Sequence, residues 1–418
     1  MSVFRPRRTR PISDMLTAVR HWLTSLLIGC GRVMRARSVA RFATFVASSV
    51  ASVASVASLA CVVMSSGACA QPLSLAEISA RLALDPQRIS LSGVSSGAYM
   101  AQQFHVAHST HIMGVGLVAG GPYRCAAGVY PPYSWLDVTG LYAATSKCSN
   151  TNPLWIYQGP PNVEQSLRET RSAVAEAAID DPRGMRGDRV WLFSGGEDTT
   201  VPSSVVDALS EYYRHYVNVT DIDHQRIATA AHAMITEDFG NECGVAESPY
   251  INDCDFDAAG RLLKHILGPL QPAAASADVH GAVAFDQAAF VDAGDPSASL
   301  HAVGHVYVPR QCRLGASCRL HVAFHGCRQS QDQVGDAFYR RAGYNKWAES
   351  NGIVVLYPQA TSWSRGWLSP ADANPNACWD WWGYSGKNYA SRDGKQMRAV
   401  AAMINALLGA AVLKTNPG

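Results

Sequence analysis

No two cysteines form a C-x-x-C pair anywhere in the 418 residues, which excludes a zinc ribbon and a thioredoxin-like redox site. No internal repeat is present, and no carbohydrate- or polymer-binding module is legible after the last predicted helix. Lysine is missing from the first 70 residues, where every basic side chain is arginine: Arg5, Arg7, Arg8, Arg10, Arg20, Arg32, Arg35, Arg37 and Arg41. An apolar, small-residue run from Phe42 to Met64 follows, and Ala68-Cys69-Ala70 then gives A-x-A before Gln71. Charge, apolar core and small-residue cleavage site in that order read as a secretory signal over residues 1–70, with Met34 as an alternative start. The run is Ala/Ser-rich and only weakly apolar, which argues against a membrane anchor. Neither Cys61 nor Cys69 has a leucine where a lipoprotein signal would need one.

Charge of either sign is also scarce once that segment is removed. The chain has a formal net charge of +2, and the segment's nine arginines and one aspartate account for +8, leaving −6. A mildly acidic mature chain argues against nucleic acid or anionic membrane as partner. Residues 71–418 suffice for one large α/β domain. That part keeps eight cysteines, an even number that fits disulfides in an exported protein. Short loops favour 125–148, 243–254 and 312–318, which leaves 327–378.

The elements alternate. Arg88 to Leu91 reads as a strand, with a helix after it carrying Met100, Phe104 and Ala107 on one face. Met113–Ala119 and Arg189–Ser194 are buried-strand runs, and Val163–Ala178 and Val205–Val217 are helical. Pro131-Pro132 and Cys148 to Pro153 mark an irregular region. Ile227–Ala231 is strand-like, and a helix lies near Phe256–Leu267. Gly268–Ser299 shifts in composition and reads as a domain boundary or a long surface connection. Strands return at His305–Val308, Leu320–Phe324 and Gly352–Tyr357, with a helix over Val334–Ser350 and a closing helix over Gln396–Leu413. Such alternation predicts a mostly parallel sheet with helices on both faces.

Between the first strand and its helix stands Gly93-Val94-Ser95-Ser96-Gly97, which fits G-x-S-x-G. Strand, tight turn and helix are the setting of a nucleophile elbow, where the glycines leave room for a turn that exposes the serine hydroxyl. A serine nucleophile needs a base, and the base needs an orienting carboxylate. In α/β-hydrolases these follow in the order Ser, Asp, His. Asp198, in the loop after a buried strand, is the candidate acid, with Glu197 beside it as the alternative. His232 is the candidate base, with His224 and His215 as rivals. At the end of the strand Leu320–Phe324 lies His325-Gly326-Cys327, and a strand ending in His-Gly is a way of offering a backbone N–H to an oxyanion. It normally precedes the nucleophile. Here it follows the whole triad, which predicts a circularly permuted α/β-hydrolase in which Gly268–Ser299 joins the old termini. His325 has no clustered partner, so no metal site and no cofactor are expected.

These residues, together with Asp238-Phe239 and Cys378-Trp379-Asp380-Trp381-Trp382-Gly383-Tyr384, resemble the single-domain poly(3-hydroxybutyrate) depolymerases, from about residue 86 to 405. The resemblance implies Ser95 as nucleophile, Asp198 as orienting acid, His232 as base, and the N–H groups of Ser96 and Cys327 as the oxyanion hole. Many bacterial members add a linker and a separate polymer-binding domain, which this chain departs from. Five tryptophans, Trp363, Trp367, Trp379, Trp381 and Trp382, crowd into twenty residues. Such a cluster lines an apolar crevice or packs a core, and Trp381 and Trp382 are the candidate substrate contacts. The expected protein is a secreted, monomeric serine esterase acting on a polyester or oligoester, in the medium or the periplasm. Two alternatives stand beside it: an esterase for acylated polysaccharide or small esters, and a non-catalytic binding protein on the same fold.

Overall fold

Apolar runs that cannot be wetted on either face must form central strands. The computed structural model, which describes residues 72–127, 139–151, 157–364 and 373–414, puts three such runs at the middle of one sheet. In chain order its strands are β1 (Ala83–Val94), β2 (Ile112–Val118), β3 (Arg189–Gly195), β4 (Ile222–Ile227), β5 (Ala282–Asp286), β6 (Val303–Tyr307), β7 (Ser317–Phe324) and β8 (Ile353–Tyr357). They lie in the order β4-β3-β2-β1-β7-β8-β6-β5. All pairs from β4 to β8 are parallel, and β6 runs antiparallel to both its neighbours. The sheet is therefore mixed and mostly parallel, as expected. The two halves of the chain each build one side of it. They meet where Gly93 of β1 pairs with Phe324 of β7, which sets the candidate elbow beside the His-Gly strand end despite their distance in sequence. That is the arrangement a circular permutation produces.

Helices cover both faces, but several differ from expectation. The helix after the elbow, Ser96–Ala107, is not amphipathic: all twelve residues are buried. Two of its polar members find partners inside, whereas the buried Gln102 amide has none among the described residues. Gln103 donates to the Asp380 carbonyl at 3.0 Å, and His105 sits between Asp188 (2.9 Å) and the Tyr213 hydroxyl (3.1 Å). The expected helix over 334–350 is three short ones, Gln331–Val334, Ala337–Arg341 and Tyr344–Asn351. Gly335 (φ 61°) and Gly343 (φ 94°) interrupt it in left-handed conformations. The closing helix ends at Leu408, capped by left-handed Gly409. The 268–299 segment is neither boundary nor mere surface connection, because it contributes the edge strand β5. Ile227–Ala231 is not a strand either; β4 ends at Ile227 and a turn follows. Cys148 closes a π-helical turn, Ala144–Cys148, whereas Pro131, Pro132 and Pro153 lie outside the described residues.

The cysteines pair as short loops favoured: Cys125–Cys148, Cys243–Cys254, Cys312–Cys318 and Cys327–Cys378. Among the described residues no helix is long and apolar enough to cross a membrane.

Candidate active site

β1 runs straight into the elbow. Ser95 has φ 55° and ψ −126°, far from any regular conformation, and its N–H donates to the Val118 carbonyl at 2.9 Å. Such strain persists only where the surroundings enforce it. The enforcement is steric and visible in the flanking glycines. A Cβ on Gly93 would lie 2.1 Å from the Gly97 carbonyl oxygen, and one on Gly97 would lie 2.3 Å from that of Phe324. Glycine is thus required at both positions for β1, the helix and β7 to approach so closely.

Ser95 Oγ lies 2.9 Å from His232 Nε2, and His232 Nδ1 lies 2.8 Å from Asp198 Oδ2. The second Asp198 oxygen accepts from the N–H groups of Thr200 (2.9 Å) and Val201 (2.8 Å), so the carboxylate is fixed in orientation. Its side chain is 1% exposed. Glu197 points to solvent, His215 is exposed, and His224 contacts Ser194 on β3 instead. Of the rival acids and bases, only Asp198 and His232 are brought together with Ser95. The chain on both sides of His232 is pinned: Ala231 N–H donates to the Cys243 carbonyl, and Met234 N–H to that of Tyr250, at 2.9 and 2.8 Å.

Ser96 heads the helix, where the first backbone N–H groups have no intrahelical acceptor. Cys327 stands across from it. A Cβ on Gly326 would lie 3.3 Å from the Ser95 Cβ, so this loop passes directly over Ser95. The loop is tied at several points. Buried His325 donates from Nδ1 to the Gly326 carbonyl (2.7 Å) and accepts at Nε2 from Ala360 N–H (3.0 Å). Burial lowers its pKa to about 4, so it is the neutral tautomer that makes both bonds. Gln329, also buried, accepts from Gly326 N–H at 2.8 Å and donates to the Tyr250 carbonyl at 2.8 Å. The Cys327–Cys378 bridge adds a covalent tie.

A cavity of about 670 Å³ opens over Ser95 and His232. Tyr99, Leu141, Trp381 and Trp382 form part of its wall. Trp381 stacks on Tyr99 at 4.1 Å between ring centres, and Trp382 meets Trp381 edge-on at 5.6 Å. Trp379 is fully buried against Phe324 and His325 and belongs to the core, while Trp367 lies outside the described residues. The turn carrying Trp381 and Trp382 is built around Asp380. This buried carboxylate accepts from the N–H groups of Trp382, Gly383, Tyr384 and Ser385 and from the Ser385 hydroxyl. Burial raises its pKa, and the hydrogen bonds partly offset that.

Gln329 and Asp380 were not singled out by sequence, although an aspartate opening a Trp-Trp-Gly turn is a recognisable Asx signal. Ser96 holds more than a backbone role, because its hydroxyl accepts from Trp379 N–H at 3.2 Å. Among the described residues no group of three His, Cys, Asp or Glu side chains is placed to hold a metal ion.

No family model matches the chain. It is 37% identical over 328 residues to a poly(3-hydroxybutyrate) depolymerase of Delftia acidovorans, covering 78% of this chain and 60% of that relative's length. It is 34% identical over 338 residues to a polyhydroxybutyrate depolymerase of Talaromyces funiculosus, covering 78% of this chain and 91% of the relative. The crystal structure of PHB depolymerase from Penicillium funiculosum matches with a TM-score of 0.67 at 31% identity, over 78% of this chain and 98% of that one. A serine-to-alanine variant of PHB depolymerase complexed with R3HB trimer matches with a TM-score of 0.66, also at 31% identity over 78% of this chain and 98% of that one.

Proposed function

Since the chain belongs to the poly(3-hydroxybutyrate) depolymerase family, we propose that it is a serine esterase hydrolysing poly(3-hydroxybutyrate) and its oligomers. The observation that carries this reading is the unbroken Ser95–His232–Asp198 hydrogen-bond chain at the floor of an aromatic cavity. A hydroxyl 2.9 Å from a neutral imidazole nitrogen can lose its proton as it attacks. Ser95 Oγ adds to the ester carbonyl, and His232 Nε2 takes the proton. Asp198 fixes the imidazole tautomer and stabilises the imidazolium that forms. The carbonyl oxygen becomes an oxyanion, for which Ser96 and Cys327 offer their N–H groups. His232 then protonates the leaving hydroxyl, which departs as the alcohol end of a shorter chain. Water, activated by the same imidazole, hydrolyses the acyl-enzyme and restores Ser95. Trp381 and Trp382 supply apolar surface for the methyl-bearing polyester backbone.

Export completes the proposal: residues 1–70 are removed, and residues 71–418 work as a monomer outside the cytoplasm. Four disulfides favour an oxidising compartment. The test is turbidity of a poly(3-hydroxybutyrate) suspension with the mature chain, alongside chromatography of hydroxybutyrate oligomers. Clearing and oligomer cleavage are expected, both abolished in Ser95→Ala. Labelling by a fluorophosphonate with no attack on polymer or oligomer overturns the substrate, and absence of labelling overturns the chemistry.

A further inference from the structure

Among the described residues lining the cavity over Ser95, one carries a charge, and it is Arg328. A neutral polyester has no need of it. The residue follows Cys327 directly and lines the same cavity as Ser95, Gly326 and Cys327. It is exposed, and among the described residues no carboxylate pairs with it and its bonds run to one neighbour. Its backbone N–H donates to the Asn376 carbonyl at 2.7 Å and its Nε to Asn376 Oδ1 at 3.0 Å. Asn376 also lines the cavity and lies two residues from Cys378, which is bridged to Cys327. The side chain is therefore steadied through Nε, and among the described residues neither terminal nitrogen has an acceptor. Its backbone has φ 61°, a left-handed conformation that glycine adopts with less strain. An arginine held there at a conformational cost, as the one charge of an otherwise neutral pocket, is poised for an anion.

We infer that Arg328 binds the free carboxylate at the end of a hydroxyacid oligomer. The inference rests on the proposed esterase reading of this pocket. It makes the enzyme sensitive to the chain end. In such an oligomer the terminal carboxylate is separated from the last ester oxygen by the two backbone carbons of one monomer. On this inference carboxylate bound at Arg328 brings that last ester to Ser95 and Cys327, which line the same cavity. The bond cleaved joins the terminal unit to the rest. Its alcohol oxygen takes the proton from His232 and leaves as the free hydroxyacid, while the longer hydroxyl-terminated part stays on Ser95 as the acyl group. Guanidinium and carboxylate match as a two-pronged, charge-assisted pair. Since the arginine is exposed, the effect is moderate and screened by salt.

The experiment compares kcat/KM for 3-hydroxybutyrate trimer with that for its methyl ester, at low and high salt, in the intact enzyme, Arg328→Gln and Arg328→Lys. The intact enzyme should favour the free acid about three- to tenfold at low salt, with the advantage shrinking in ~0.5 M NaCl. Arg328→Gln should abolish the preference and Arg328→Lys should keep part of it. Monomer should be released first from the carboxyl end. Equal rates on acid and ester in the intact enzyme at low salt overturn the inference without touching the esterase reading, and so does a preference that survives in Arg328→Gln. Should Arg328→Gln not fold, the salt dependence and the order of product release in the intact enzyme decide alone. No cleavage of either trimer by the intact enzyme overturns both readings together.

Discussion

Replacing Cys327 and Cys378 together by alanine separates what the bridge does for the fold from what it does for catalysis. The bonded cysteines are 51 residues apart, and closing a loop of that length removes unfolded-state entropy worth about 4 kcal/mol in the chain-entropy model. For a domain of this size that corresponds to a fall in Tm of roughly 5 °C. The catalytic side has a different scale. Loss of one oxyanion donor typically costs ~10²–10³ in rate. The Cys327 N–H need not be lost with the bridge, however, because the loop keeps its other ties. His325 remains bonded to Gly326 and Ala360, Gln329 to Gly326 and Tyr250, and Arg328 to Asn376. Those bonds hold both sides of residue 327, so kcat at a temperature well below the new Tm should fall less than about tenfold, short of the loss of a donor. Denaturant unfolding measures the first quantity and steady-state hydrolysis of a soluble butyrate ester the second. A folded double variant whose kcat drops a hundredfold or more would refute the reasoning, since the covalent tie would then be what aims the donor. A stability change under about 1 kcal/mol would refute the entropic half.

Ser95→Ala should lose nearly all turnover and fluorophosphonate labelling. Ser96→Ala should retain chemistry but lose about 1 kcal/mol of stability, because its hydroxyl accepts from buried Trp379 N–H; the reverse pattern would put the nucleophile at the wrong serine. Acid should weaken the fold well before the carboxylates titrate. Burial lowers His108 and His321 to about 3 and His325 to about 4, whereas the unfolded chain protonates near ~6.5. The stabilisation is thus complete above pH ~6.5 and is lost as pH falls toward the folded values, at up to about 4 kcal/mol per pH unit for three histidines titrating together. Asp380, raised by burial, works in the opposite sense but is one group against three. Denaturant midpoints measured from pH 7 to 4.5 check this, and a flat profile between 6.5 and 4.5 would remove the buried neutral histidines from the account.

What the sequence made legible is what is local in the chain. The elbow is set by two glycines flanking one serine, and both requirements lie within five residues. The central strands announce themselves as unbroken apolar runs. Three of the disulfides close short loops, and the fourth follows by elimination. Where contacts come from far along the chain, the pattern is silent. β5 is a five-residue edge strand, AVAFD, which pairs with β6 but sits in a composition that reads as linker. The two glycines that break the 334–350 helix were in plain view, yet apolar spacing outweighed them. Gln329 shows the limit best. Nothing about a glutamine two residues after Cys327 marks it, and its importance comes from Tyr250, some 79 residues away.

The same contrast explains how a site can survive reordering of its chain. The Ser95–His232–Asp198 geometry depends on which strand ends lie side by side, not on which is synthesised first. β1 and β7 pair in register from Ile89–Leu320 to Gly93–Phe324, and that pairing alone brings Gly326 over Ser95. A new connection made elsewhere leaves this register untouched, provided it stays at the far edge of the sheet. The 268–299 segment does so: its strand β5 is the outermost on the His325 side, separated from β7 by β6 and β8. The chain-order rule for hydrolases is therefore a rule about ancestry, whereas the adjacency of elbow strand and His-Gly strand is a rule about chemistry, and only the second is needed to hold donors over the nucleophile.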